Sequence, residues 1–290
     1  MDLKNIIFIL IFLAAFIFFG YSVNKLIKYL KVAKKKDDRF DNIPTRLKRV
    51  WNIAFAQTKL LREPLAGILH LIIFWAFILF IFAVLESIIQ GFYTPFTLSV
   101  LGSFFTVVTI VQDLFGLFVI VAILVSLYRR FIQKIPRLQV DKHGLKDAAF
   151  ILVLIMLIVL SMYGENAAAY ANNGMKYHPY EFRPVSAFIA GIFFNGQTET
   201  TIILYEVFWW MHIVMIFGFL NYLPYSKHLH ILTSIPNVFF ANLDPVRNTL
   251  KKINLEYENA ESFGVADIDQ FSWKQILDGY SCTECGRCTY

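Results

Sequence analysis

Residues 65–85 read LAGILHLIIFWAFILFIFAVL, and this stretch decides the fold. It holds no Asp, Glu, Lys or Arg, and its one strongly polar side chain is His70. A helix of that length rises about 1.5 Å per residue, roughly 30 Å in all, which is the thickness of a bilayer's hydrocarbon core. Similar runs recur at Ile6–Val23, within Phe96–Leu127, at Ala148–Tyr163 with an extension through Ala167 to Ala171, and at Ile202–Tyr222. The third is longer than one crossing needs, so its first part reads as an interfacial lead-in and the span as starting near Phe104. Pro184–Phe194 is too short to cross and reads as interfacial or re-entrant. Over all 290 residues, 57% are hydrophobic and 17% charged, against roughly a quarter charged in soluble domains. That balance excludes disorder and a typical soluble enzyme. The fold class expected is all-α, a bundle of five transmembrane helices over about 6–23, 65–87, 104–127, 148–166 and 202–230, the last including a continuation through Pro224.

Orientation follows from the basic residues, which gather on the cytoplasmic side of membrane proteins. The segment between the first two spans carries twelve, from Lys25 to Arg62; the segment after the third carries Arg129, Arg130, Lys134, Arg137, Lys142 and Lys146; six more follow Pro224. Only Lys4, Lys176 and Arg183 remain for the other side, out of 27 in total. The expected protein is therefore multi-pass in the inner (cytoplasmic) membrane, with its N-terminus outside and its C-terminal segment in the cytoplasm. The net charge of +6 is then an orientation signal, with no nucleic-acid partner implied.

From Asn242 the chain turns polar, and its three cysteines all lie at the end, in Cys282-Thr-Glu-Cys285-Gly-Arg-Cys288. Thiolates at i, i+3 and i+6 are the first three of the C-x2-C-x2-C-x3-C run that wraps a 4Fe–4S cluster. Structural zinc prefers ligand pairs separated by a dozen or more residues. The fourth cysteine of such a run falls four positions after Cys288, beyond residue 290, and in two-cluster proteins it serves the other cluster. The expected organisation is a haem-binding transmembrane bundle over residues 1–241. Residues 242–290 then form a linker and the start of a cytoplasmic, helical ferredoxin-type domain that continues in a longer protein.

Histidines supply the second signal. His70 and His212 lie on apolar helices, where an imidazole needs a partner and polar groups are functional candidates. If the last helix runs on through Pro224, His230 returns to the face of His212 about 27 Å further along. Two histidines on one helix, with His70 on another, suit bis-histidine ligation of haem in a bundle. Helical depth does not choose between His230 and His212 as the partner of His70. His143, His178 and His228 read as surface or interfacial residues. Among acidic groups, Glu86 and Glu206 fall at helix ends, while Asp113 lies at about the depth of His212. That depth allows an Asp113–His212 hydrogen bond, and if no second haem is present this pair is expected to bind a quinone head group and carry its protons, with Glu86 and Glu206 connecting it to the outer surface.

These residues carry a resemblance. GILH at 67–70, WWMH at 209–212, NYLPYSKHLHILTSIPNVFF at 221–240 and CTECGRC at 282–288 resemble membrane-bound iron–sulfur oxidoreductases related to heterodisulfide reductase. Their N-terminal region is similar to the cytochrome b-type gamma subunit of respiratory nitrate reductase. That subunit holds two b haems with two histidines on its second helix and two on its fifth. The resemblance implies His70 and His230 as axial ligands of one haem and His212 as one ligand of the other. The remaining ligand would stand ten residues after His70, where this chain has Phe80. It further implies electron transfer between the quinone pool and a cytoplasmic donor such as electron-transferring flavoprotein or a heterodisulfide reductase-type subunit. The alternative is a non-redox membrane anchor or transporter with no haem in the bundle.

Overall fold

A computed structural model describes residues 2–35, 37–139, 141–173, 181–194, 196–243, 256, 265 and 267–287. Its helices are α1 (Leu3–Leu30), α2 (Ile43–Val50), α3 (Pro64–Phe92), α4 (Ser103–Leu127), α5 (Lys142–Asn172), α6 (Pro184–Phe193), α7 (Glu199–Tyr222), α8 (His230–Phe239) and α9 (Trp273–Tyr280). Among the described residues the only β pairing is an isolated bridge from Lys35 to Ser272. The fold is all-α, and α1, α3, α4, α5 and α7 are long and apolar enough to cross a membrane. Expected spans and helices agree at their centres; α1, α3 and α5 run past the expected bounds, because continuing by a turn satisfies backbone groups that an apolar surrounding leaves without water, whereas α7 stops short of the expected residue 230.

The chain divides into two compact units. The first comprises Met1–Ile17, Leu60–Asn221 and Gly286–Tyr290. Its polarity is reversed relative to a water-soluble domain: Leu10, Val107, Phe118 and Val121 are exposed, while Thr109, Gln112, Asp113 and Ser161 are buried. Such a surface is stable against lipid, and the inward polar groups are left to bond one another. Ala76, Val119, Ile123, Val159, Met162 and Tyr163 form one core among α3, α4 and α5. Phe8, Trp209, Ile213 and Phe217 form a second between α1 and α7. Glycine lets these helices approach closely, as small residues do between membrane helices: Phe8 occupies the space a side chain at Gly91 would need.

Directions within this unit follow from polar contacts. Asn5 Nδ2 donates to the Gly91 carbonyl at 2.9 Å, Lys4 pairs with Glu206 at 2.7 Å, and Asn172 Nδ2 donates to the Thr201 carbonyl at 3.2 Å. The start of α1, the end of α3, the end of α5 and the start of α7 therefore share one end of the unit. At the other end, Glu63 before α3 pairs with Arg137 after α4 and with Arg287 at 3.0 Å.

The second unit comprises Phe18–Lys59 and Tyr222–Cys285. Arg46 of α2 is buried at its centre, donating to the carbonyls of Phe239 and Ala241 at 2.9 Å each and to Asp41 Oδ1 at 2.5 Å. The carbonyl of Phe239 is the last of α8 and that of Ala241 lies two residues beyond it, where helix geometry supplies no partner. Trp273 Nε1 donates to the Asp37 carbonyl at 2.9 Å, and Tyr280 Oη to that of Leu26 at 3.1 Å. Ser272 opens α9 with a capping box completed by Gln275, a reciprocal bond pair that satisfies two otherwise unpaired amides.

The helix does not continue through Pro224. α7 ends at Tyr222, a tight turn covers Leu223–Tyr225, and Ser226 is extended at φ −123°. Pro224 removes one amide donor and crowds the carbonyl four residues before it. Ser226 Oγ then accepts from His228 N at 3.1 Å, and a new helix starts at His230. His212 and His230 therefore stand on separate helices, and the single-helix phase relation between them does not hold. Most of the polar stretch after Asn242 lies outside the described residues.

Candidate functional site

Asp113 is fully buried on α4. Its Oδ2 accepts from Val185 N at 2.5 Å and Ser186 N at 3.2 Å, and its Oδ1 from Ser186 Oγ at 2.6 Å. These donors open α6, whose preceding residue Arg183 makes no side-chain cap and whose first position is Pro184. A carboxylate at a helix N-terminus satisfies unpaired amides and meets the positive end of the helix dipole. One turn earlier on α4, Thr109 Oγ1 donates to the Phe182 carbonyl at 3.2 Å. The Asp113–His212 bond allowed by their matched depth is not formed: Asp113 faces the start of α6, while the ring of His212 bonds to the Ile158–Ser161 turn of α5.

His212 is buried on α7. Its Nδ1 lies 3.0 Å from the Ile158 carbonyl and 3.0 Å from Ser161 Oγ. A carbonyl only accepts, so Nδ1 carries the proton and Nε2 the lone pair in the neutral ring. A nearby cavity of about 460 Å³ is lined by His212, Glu86, Glu165, Glu181, Arg183 and Tyr205 among others. Glu86 accepts from Thr97 Oγ1 at 3.0 Å and Leu98 N at 2.7 Å, which ties the end of α3 to the following turn. The cavity belongs to the end of the first unit at which α3 and α5 finish.

His70 is half-buried on α3, about two turns in from Pro64. His230, the first residue of α8, is half-buried and directs Nδ1–H to the Lys227 carbonyl at 2.8 Å. Burial pushes this imidazole below its usual pKa, and the bond to the Lys227 carbonyl works against that shift. The His228 ring lies 5.2 Å from that of His230. His143 is exposed at the start of α5, and His178 lies outside the described residues.

Cys282 is exposed and Cys285 half-buried, on irregular backbone after α9. Glu284 and Gly286 take positive φ of 51° and 74°, the left-handed region, so the backbone bends at both positions. Cys288 lies outside the described residues, and among those described no group of three or more metal-ligating side chains is assembled. Arg287 of the motif holds Glu63, whose carboxyl burial would raise but which the Arg287 and Arg137 guanidiniums keep below the usual carboxylate range.

Over 289 residues, 98% of its length, the chain is 34% identical to a Bacillus subtilis protein named "Probable iron-sulfur-binding oxidoreductase FadF". Over 266 residues, 89% of its length, it is 32% identical to "EtfAB:quinone oxidoreductase" of Syntrophomonas wolfei. This chain is similar to iron–sulfur oxidoreductases. It spans 39% and 36% of those relatives' lengths. No family model matches it, and no solved structure matches it.

Most of the cavity's lining residues, Glu165, Glu181 and Arg183 among them, were not singled out as site candidates in the sequence. Glu165 follows the apolar run that ends at Tyr163, and continuing the helix one turn puts it on a face with Met162, Ala169 and Asn172, which line the same cavity. That turn was the available signal. Glu181 and Arg183 line the cavity just before α6, a tertiary placement for which a local pattern holds no signal.

Proposed function

We propose that this chain passes electrons between a cytoplasmic iron–sulfur protein or flavoprotein and the quinone pool, through haem b and a 4Fe–4S cluster. One observation carries the reading: CTECGRC follows five apolar helices in a chain similar, over most of its length, to an EtfAB:quinone oxidoreductase. The relative's name supports a quinone as substrate and electron-transferring flavoprotein as the soluble donor, with a heterodisulfide reductase-type subunit as the other candidate.

In this reading Cys282, Cys285 and Cys288 ligate the 4Fe–4S cluster, and His70 and His230 are the axial ligands of haem b in a nitrate reductase gamma-like bundle. His212 is the alternative ligand. The fit rests on chemistry: His230 has its Nδ1 proton held by a backbone carbonyl, the outer bond that sets a ligating imidazole's tautomer. The positive-φ bends at Glu284 and Gly286 suit thiolates gathered around one centre. When bound, these groups supply one-electron transfer.

Reducing a quinone consumes two electrons and two protons and turns two carbonyls into hydroxyls. We assign the protons to His212, which takes one at Nε2 from the outer side and passes it on to the quinone, and to Glu165, whose carboxyl gives up its own and is reprotonated by the same route, both lining the 460 Å³ cavity. That volume lies within the few hundred to about 1,000 Å³ of small-molecule sites. Asp113 serves this site by fixing α6 and the adjoining Arg183, while Glu86 and Glu206 connect it to the outer surface. The protein sits in the inner membrane with its N-terminus outside and its C-terminal segment in the cytoplasm.

The absorption spectrum of the purified protein tests the reading. A low-spin b-type haem is expected, abolished by His70→Ala and by His230→Ala. A protein without haem, or with stoichiometric zinc and no iron, overturns it. Loss of haem in His212→Ala with retention in His230→Ala transfers the ligand role to His212.

A further inference from the structure

Within the second unit, the segment carrying Cys282 and the segment carrying His230 are joined at three levels. Lys274 Nζ donates to Asn237 Oδ1 at 2.6 Å. Ser281 Oγ donates to Thr233 Oγ1 at 3.2 Å, and Thr233 Oγ1 to the Tyr280 carbonyl at 3.3 Å. Glu284 Oε2 meets Lys227 Nζ at 2.6 Å. As the chain advances from Lys274 through Ser281 to Glu284, its partners run backward from Asn237 through Thr233 to Lys227. This antiparallel register sets Cys282 beside the turn between Thr233 and Lys227, which is the turn that holds His230.

Lys227 is the joint of the arrangement. Its side chain is only 14% exposed, and an ammonium so covered needs a counter-charge. Its Nζ holds Glu284, and its carbonyl accepts the Nδ1 proton of His230 at 2.8 Å. Glu284 meanwhile sits at φ 51°, a conformation that costs a residue with a side chain and persists only where surrounding contacts hold it. An ion pair to a lysine on another segment is such a contact.

We propose that Lys227 and Glu284 are positioning residues that latch the cysteine motif to the His230 turn. Electrons then cross between cluster and haem on the His230 side, and movement of the motif reaches the His230 ring through the Lys227 carbonyl. The step so organised is a single electron passing, one cofactor oxidised and the other reduced, with no bond made or broken. This rests on the reading above that the motif holds a cluster and His230 a haem.

The test uses the intact protein with both cofactors. Carbodiimide treatment followed by peptide mass analysis should join Lys227 to Glu284. Glu284→Gln should slow cluster-to-haem electron transfer about tenfold, the effect of losing one coupled contact pair. It should also shift the haem's low-spin paramagnetic resonance signature, with iron, sulfide and haem contents unchanged. Exchanging the charges, Lys227→Glu with Glu284→Lys, should recover most of the rate. Absence of the cross-link, or wild-type rate and resonance in Glu284→Gln, overturns the latch. A His230→Ala protein that keeps its haem, or a motif filled with zinc, instead overturns the cofactor reading beneath it.

Discussion

Replacing Asp113 by Asn removes one charge and almost no volume, and the structure says where the effect must appear. The carboxylate accepts three bonds from α6, two backbone amides on Oδ2 and the Ser186 hydroxyl on Oδ1. In the least damaging arrangement the Asn carbonyl takes the place of Oδ2 and its amide group faces Ser186 Oγ, which turns to accept. All three charge-assisted bonds then become neutral ones, and a bond to a charged group contributes about 1.5 kcal/mol or more against about 1 for a neutral pair, a loss of about 0.5–1 kcal/mol at each. The expected cost is about 1.5–3 kcal/mol, concentrated in α6. In hydrogen exchange of the detergent-solubilised protein, peptides covering residues 182–194 should open roughly 10- to 160-fold more often. Asp113→Ala, which strands all three donors, should open them further, while peptides from the middle of α3 keep wild-type protection. Unchanged exchange across α6 in both variants would refute the assignment of Asp113 as the acceptor that holds this helix, and the altered site geometry inferred from it.

Glycine substitutions separate close packing from helix propensity. A Cβ at Gly67 would lie 2.6 Å from the Leu60 carbonyl oxygen, which is backbone and cannot turn aside, whereas Gly218 has nothing within 4 Å. Gly67→Ala should lower stability by about 1–3 kcal/mol in thermal unfolding, and Gly218→Ala should raise it by about 0.5–1 kcal/mol; the opposite order sinks the packing argument. For topology, a reporter fused after Asn242 should report cytoplasm and one inserted near Asn172 the outside, and the reverse pattern removes the proposed orientation.

The five long helices were legible because nothing but length and the lack of charge is needed to specify them, as residues 65–85 illustrate. The cysteine motif was legible for a similar reason: its geometry lies within seven consecutive residues. The break after Tyr222 was written in Pro224 and Ser226, but an apolar pattern on both sides masked it. Asp113 was recognised as an intramembrane carboxylate, yet its partners lie 72 and 73 residues away. Its depth matched that of His212, and depth along an axis says nothing about which face a side chain occupies. Glu165 lies inside the expected fourth span and was passed over, because one carboxylate in an otherwise apolar, alanine-rich stretch carries no local mark of the face it occupies.

Arg46 has a consequence for how the chain is made. Its two carbonyl partners lie 193 and 195 residues later in the sequence. At synthesis rates of about 5–20 residues per second, the arginine waits roughly 10 to 40 s for them to emerge. During that interval α2 has neither the carbonyls nor the helix that later cover it, and four further long apolar segments, α3, α4, α5 and α7, are made first. A guanidinium that ends in the interior therefore begins as an accessible charge, and its burial marks the point at which α8 has followed the last long apolar helix.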